Sequence, residues 1–319
     1  MATLSVLSLS LAGGCAKASY CLRPGAIPDA SMPLSVGDKE RVVIARDMVR
    51  RLQTAQSPET RAALLTGLPT FFPSTVPQCT TEFVQLLHSN YFKGASTAPW
   101  RVDLVTLAAI DALSQLRGGR LFAEEQGQAL MSLYKRPLAQ NPYVSLPHGR
   151  AYPPQAIPDE ADIRLRIARA LARTMSVYHS QEYRAFLLSE VALDAPVSTR
   201  LALAHQVDAA LERGSKQQAT HVMRQWIAQL KGAMNEPLRE LDSLNLYVEM
   251  LNSLATHATS LGMHNEVEAL ILEMSQGLAS SAMSESMSTS ALANALHRAR
   301  VVLMRNAVMK PGAPQAPVP

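Results

Sequence analysis

Aromatic side chains are scarce in this chain, at 5% of 319 residues, and glycine contributes only 15 positions. Sheets draw on aromatic and β-branched residues, so the shortage argues against a β-rich fold, while 14 methionines favour helices. Cysteine is limited to Cys15, Cys21 and Cys79, an odd number whose spacings fit no zinc pattern. A reducing compartment is the expectation. After the N-terminus no run of about 18 uncharged apolar residues occurs, so no membrane-spanning helix is expected. Asn-x-Ser/Thr is also absent, which removes the case for a glycosylated exterior.

Catalytic signatures are missing too. The chain has no Gly-Lys-Ser/Thr phosphate loop, no Gly-x-Gly-x-x-Gly, no Gly-x-Ser-x-Gly and no His-Glu-x-x-His. No Glu is followed three residues later by His, the pairing that a carboxylate-bridged di-iron bundle takes from two of its helices. Neither an enzyme nor a bound cofactor or metal is expected on these grounds.

What is present is a globular composition, 47% apolar and 18% charged. The formal charge is +4, with 15 basic and 10 acidic residues before position 151 and 15 and 16 after it. Residues 1–28 hold no Asp or Glu and only Lys17 and Arg23 as cations, a pattern that resembles a mitochondrial presequence. Leu4 to Leu11 has no basic residue ahead of it, which disfavours a secretory signal. Proline density then divides the chain: a presequence or disordered start over 1–34, a helical lobe over 35–136, a linker over 137–158 with six prolines, a helical-repeat lobe over 159–309, and a disordered tail over 310–319.

Within the first lobe, helices are expected over Arg41–Thr54, after the Ser57-Pro58 start, from Thr80 to Tyr91, from Thr97 and Pro99 to Arg117, and over Leu121–Lys135. The second lobe is more regular. Helix starts near Asp159, Val197 and Pro237 lie 38 and then 40 residues apart, and partner helices follow Ser180, Ser215 and Gly262, with a last helix over Ser288–Met309. Hairpins repeating at that interval predict an all-α fold of stacked helical hairpins, α-solenoid-like.

Three arginine clusters are the candidate interaction sites. In the helix expected from Asp159 to Tyr178, the stripe Ile163, Ile167, Leu171 and Tyr178 leaves Arg166, Arg169 and Arg173 on the opposite face. Guanidinium forks suit phosphate oxygens, so such a ridge points to RNA, with a solvated face or a protein contact as the plainer alternative. Arg46, Arg50 and Arg51 form a second cluster, and His297, Arg298, Arg300 and Arg305 a third. Few aromatic residues accompany them, which disfavours base stacking. The best polar constellation is His205, Asp208 and Glu212 on one helix face, with His257 and His264 further on. All of these are expected to be ordinary surface or interhelical polar residues.

From Tyr247 the chain reads Tyr-Val-Glu-Met-Leu-Asn-Ser-Leu, then Leu261-Gly262, then Glu-Val-Glu-Ala-Leu-Ile-Leu-Glu-Met ending at Met274. This segment resembles a pentatricopeptide repeat, with about one extra helical turn before the glycine. The resemblance implies a degenerate helical-repeat protein, similar to pentatricopeptide-like and HEAT-like subunits of organellar RNA-processing complexes and mitochondrial ribosomes. It carries no base-reading position onto any residue here. The function expected is a non-enzymatic scaffold subunit in a mitochondrial RNA-processing assembly, contacting protein partners and RNA. The alternative is a protein-only accessory subunit of a mitochondrial ribosome or respiratory assembly.

Overall fold

The computed structural model describes residues 36–71, 77–87, 90–91, 100–115, 124–143, 158–233, 240–280 and 287–308. The expected presequence over 1–34, most of the proline-rich segment, the tail from 310, and Cys15, Cys21, Thr97 and Pro99 lie outside the described residues. Among the described residues the chain is all-α, with thirteen α-helices and one short pair of parallel strands.

Helix α1 spans Val36–Thr54 and α2 spans Pro58–Gly67. Ser57 caps α2, its Oγ accepting the Thr60 N–H at 3.3 Å, and Pro58 occupies a first-turn position where no N–H partner is needed. A single 3-10 turn, Leu68–Phe71, follows, and α3 runs from Pro77 to Leu87. The helix expected from Thr97 to Arg117 is shorter than its pattern suggests. Trp100–Val102 forms strand β1, and α4 begins at Leu104, where Asp103 Oδ1 accepts the Thr106 N–H at 2.7 Å. Helix α5, Glu124–Lys135, leads to strand β2, Leu138–Tyr143, which places the start of the proline-rich segment beside β1. Trp100 stands opposite Leu138 and Val102 opposite Tyr143, with an irregular register between them. Pro142 fits here because each strand of a pair keeps one free edge.

Helix α6 spans Glu160–Thr174, opened by Asp159, whose carboxylate accepts the Asp162 N–H at 2.8 Å. It stops before the expected Tyr178. Met175 is extended, and the turn that follows brings Ser180 to cap α7, Gln181–Phe186, through the Tyr183 N–H. Tyr178 is therefore no part of the buried stripe: it is 61% exposed, with the Arg213 guanidinium 5.5 Å above its ring. A π-helical turn, Leu187–Val191, continues α7, and the carbonyl of Ala192, the residue that caps it, accepts the Trp226 Nε1–H at 2.8 Å. That bond satisfies a backbone oxygen that the wider π turn leaves without a helical partner.

Next come α8 (Val197–Ala202), α9 (Ala204–Arg213), α10 (Lys216–Ala233), α11 (Leu241–Leu261), α12 (His264–Ser280) and α13 (Met287–Val308). Gly262 closes α11 at φ 78°, donating to the Thr259 carbonyl while Met263 N–H reaches the Ala258 carbonyl at 2.8 Å. This is a Schellman turn, which needs a left-handed residue at the glycine position.

Packing follows chain order. Helix α2 lies against α4, α4 against α6, α6 against α8, α8 against α11 and α11 against α13, while α5 meets α7, α7 meets α9, and α10 meets α12. One connected apolar core runs through these contacts from Ala45 to Leu303. Each fully buried Ile or Leu, such as Ile163, Ile167 and Leu171 on α6, contributes about 1.5–3 kcal/mol. Polar bridges lock neighbouring helices: Tyr183 donates its hydroxyl to Gln206 Oε1, and Gln206 Nε2 donates to the Ala172 carbonyl at 3.1 Å, tying α7, α9 and α6 together.

Candidate functional site

The three arginine clusters differ once their neighbours are in place. On α6, Arg166 Nη1 donates to Asp111 Oδ2 of α4, a pairing that no local spacing of residues signals. Burial raises the Asp111 carboxyl above its ordinary value, and the Arg166 charge only partly offsets this. Arg169 and Arg173 stay exposed and form no salt bridge with a described residue, though Arg169 still feels the Asp111 carboxylate. The ridge is thus two outward arginines beside one that holds two helices together. Nearby Arg164 is an interhelical tie as well, bonding Glu160 and the Arg136 carbonyl and lying 5.2 Å over the Tyr134 ring.

On α1, Arg50 and Arg51 both reach Asp47, each at 2.6 Å. Hydrogen bonding from Arg50, with the Arg51 charge behind it, holds the Asp47 carboxyl below its usual value. Arg46 is half-buried, with its guanidinium pKa lowered by that burial and partly restored by Glu82. Each cation of this cluster has an acidic neighbour at hand, so little free positive field projects from it.

The α13 cluster is the open one. Arg298, Arg300 and Arg305 are exposed and form no hydrogen bond or salt bridge with a described residue, and residues 287–308 include no Asp or Glu. Leu292, Ala295, Leu296, Ala299 and Leu303 bury the opposite face in the core, and α13 packs on α11 and α12. Asn306 Nδ2 donates to the Thr256 carbonyl at 3.3 Å, fixing the rotation of α13 over α11. With that rotation set, Val301, Met304 and Val308 face outward at 52%, 57% and 79% exposure, between the arginines. This exposed apolar line is the feature that a search for charges missed. A helical wheel of residues 287–308, centred away from Leu296 and Leu303, would have found it.

The polar constellation is also rearranged. His205 and Glu212 are exposed, whereas Asp208 is drawn to α11, where Ser253 Oγ donates to Asp208 Oδ1 at 2.8 Å and His257 Nε2 lies 2.8 Å from the same oxygen. A carboxylate can only accept, so both partners donate to it. Burial alone would raise the Asp208 pKa, but the bonds from His257 and Ser253 outweigh it and the net shift is downward. A Ser-His-Asp trio invites comparison with a nucleophilic relay, which needs the imidazole between the hydroxyl and the carboxylate. Here the carboxylate stands between the other two. Ser253 also borders a crevice with Arg200 and Trp226, whose roughly 10 Å³ of interior holds about one water molecule. His264 lies 3.9 Å from Glu268 on its own helix. Among the described residues no group of three or more His, Cys, Asp or Glu side chains could hold a metal ion, and no helix is long and apolar enough to cross a membrane.

A groove of about 1010 Å³ lies between the π turn and the start of α10, lined by Leu188, Ser189, Lys216, His221 and Arg224. It is broad and open, and Arg224 at its edge pairs with Glu266 of α12 at 3.2 Å. Compared with known proteins, the chain matches no family model, no curated protein and no solved structure.

Proposed function

We propose that this chain is a non-enzymatic helical-repeat scaffold that joins protein partners in a mitochondrial assembly. The observation that carries the reading is the outer face of α13, where exposed Val301, Met304 and Val308 lie among Arg298, Arg300 and Arg305. Apolar side chains gathered on one exposed face mark interaction surfaces in soluble proteins. The succession of helix contacts from α2 to α13 supports a solenoid reading, and α11 and α12, which hold Tyr247 and Met274, supply the hairpin with pentatricopeptide-like sequence. The acid-free start of the chain supports the mitochondrial address.

Direct RNA contact is a second reading, favoured by the outward position of Arg169 and Arg173. One experiment separates the two. Tagged protein is purified from mitochondria with and without nuclease, and the retained proteins are identified. Protein partners that survive nuclease support the scaffold reading. Loss of every partner on nuclease treatment overturns it in favour of RNA.

A further inference from the structure

The exposed face of α13 has a finer order than an apolar patch. Asn294, Val301 and Val308 recur every seven residues, and His297 and Met304 fall three after the first two of them. Those are the a and d positions of a heptad repeat, with Arg298 and Arg305 at e and Arg300 at g. The register is independent of the buried stripe, because Ala295, Leu296, Ala299 and Leu303 occupy b, c and f and are spent on the core. One helix therefore carries two seams, one closed by α11 and α12 and one facing solvent.

We propose that the outer seam of α13 forms a short two-stranded coiled coil with an acidic amphipathic helix of a partner protein, an inference that rests on the scaffold reading. Charge complementarity selects the partner: Arg298, Arg300 and Arg305 flank the seam with no acidic residue between Met287 and Val308, so the opposing flanks must carry Asp or Glu. A second copy of this chain is excluded as the occupant by the same charges. Parallel pairing sets Arg300 against Arg305 of the copy, and antiparallel pairing again opposes arginine to arginine. Nucleic acid would engage the arginines but leave Val301, Met304 and Val308 in water. An anionic membrane would want Leu, Phe or Trp on the seam, and it has none. β-Branched Val at a favours two strands, and Asn294 at a fixes register. The helix is already held in place by its buried face and by Asn306, so docking orders only the partner.

The test uses the full chain and two synthetic helical peptides of about three heptads, both with Leu at d, Val at a and one Asn at a. One peptide carries Glu at e and g and the other carries Lys. Binding is followed by fluorescence anisotropy at two salt concentrations, with an oligonucleotide and phosphatidylserine vesicles as further probes. The expected result is salt-sensitive binding of the Glu peptide and not of the Lys peptide. The exposed triple variant R298E/R300E/R305E should bind the Glu peptide about tenfold more weakly and gain the Lys peptide. V301D, at a half-exposed site outside the apolar core, should abolish binding of the Glu peptide while the thermal midpoint stays unchanged. Equal binding of the two peptides, an unchanged affinity in the triple variant, or preferential capture of the oligonucleotide or vesicles by this face overturns the proposal. Partners that survive nuclease and are kept by the triple variant also overturn it, and leave the scaffold reading standing.

Discussion

Single side chains in this protein do their work mainly by joining helices that are far apart in sequence. Asp208 is the clearest case, since its carboxylate receives Ser253 and His257 from α11, 45 and 49 residues away. Its folded pKa lies below the ordinary 3.8, so the pairing stabilises the fold fully above that value and loses its contribution as pH falls through the lowered one. Asp208→Asn should therefore cost no more than about 1 kcal/mol near neutral pH, a modest figure for a partly exposed carboxylate. The difference from the parent should narrow below pH 3.8. Urea unfolding at both pH values measures this, and a penalty that is constant or grows in acid would contradict it. Arg166 teaches a similar lesson. Its position on the polar side of α6 was correctly legible, but Asp111 is 55 residues away on α4, and no local window can show that the guanidinium is already engaged.

Helix ends were the most legible features, because caps act within four residues of the chain they terminate. Ser57, Asp159, Ser180 and Ser215 each accept an N–H three residues on. Gly262 is the sharpest of these signals. At φ 78° a Cβ meets no neighbour within 4 Å, so the penalty for Gly262→Ala comes from the backbone alone and should be about 1 kcal/mol. Gly262→Asn should recover part of it, since Asn tolerates the left-handed region. Thermal unfolding of the two variants checks the order, and equal stability of Ala and Asn would place the penalty elsewhere. Less legible were departures from helix. The Trp100–Val102 strand exists only because Leu138–Tyr143 lies beside it, and α6 ends at Thr174 although its apolar spacing runs on to Tyr178. The outer seam on α13 escaped notice for another reason. The same 22 residues also encode the buried seam, and a single hydrophobic stripe is what periodicity seeks.

At the scale of the molecule, one core threads helices that touch mostly their neighbours in chain order. Helices α6 and α8 pack on elements that precede and follow them in the chain, whereas α13, the last described helix, packs closely but only backward, on α11 and α12. Deuterium exchange should therefore be graded, slow in α6, α11 and α13, which form the closest-packed pairs, and faster in α1, which meets only α2 and the 3-10 turn among the strongly packed pairs. Uniform exchange across the helices would show instead that the molecule opens only as a whole. The same packing gives Asn306 a role beyond fixing an angle. Its bond to the Thr256 carbonyl is a latch near the end of α13, so the state of the outer seam becomes visible as a change in the lifetime of the amide protons there. A partner that closes over Val301 and Val308 would slow those protons without touching a residue of the core.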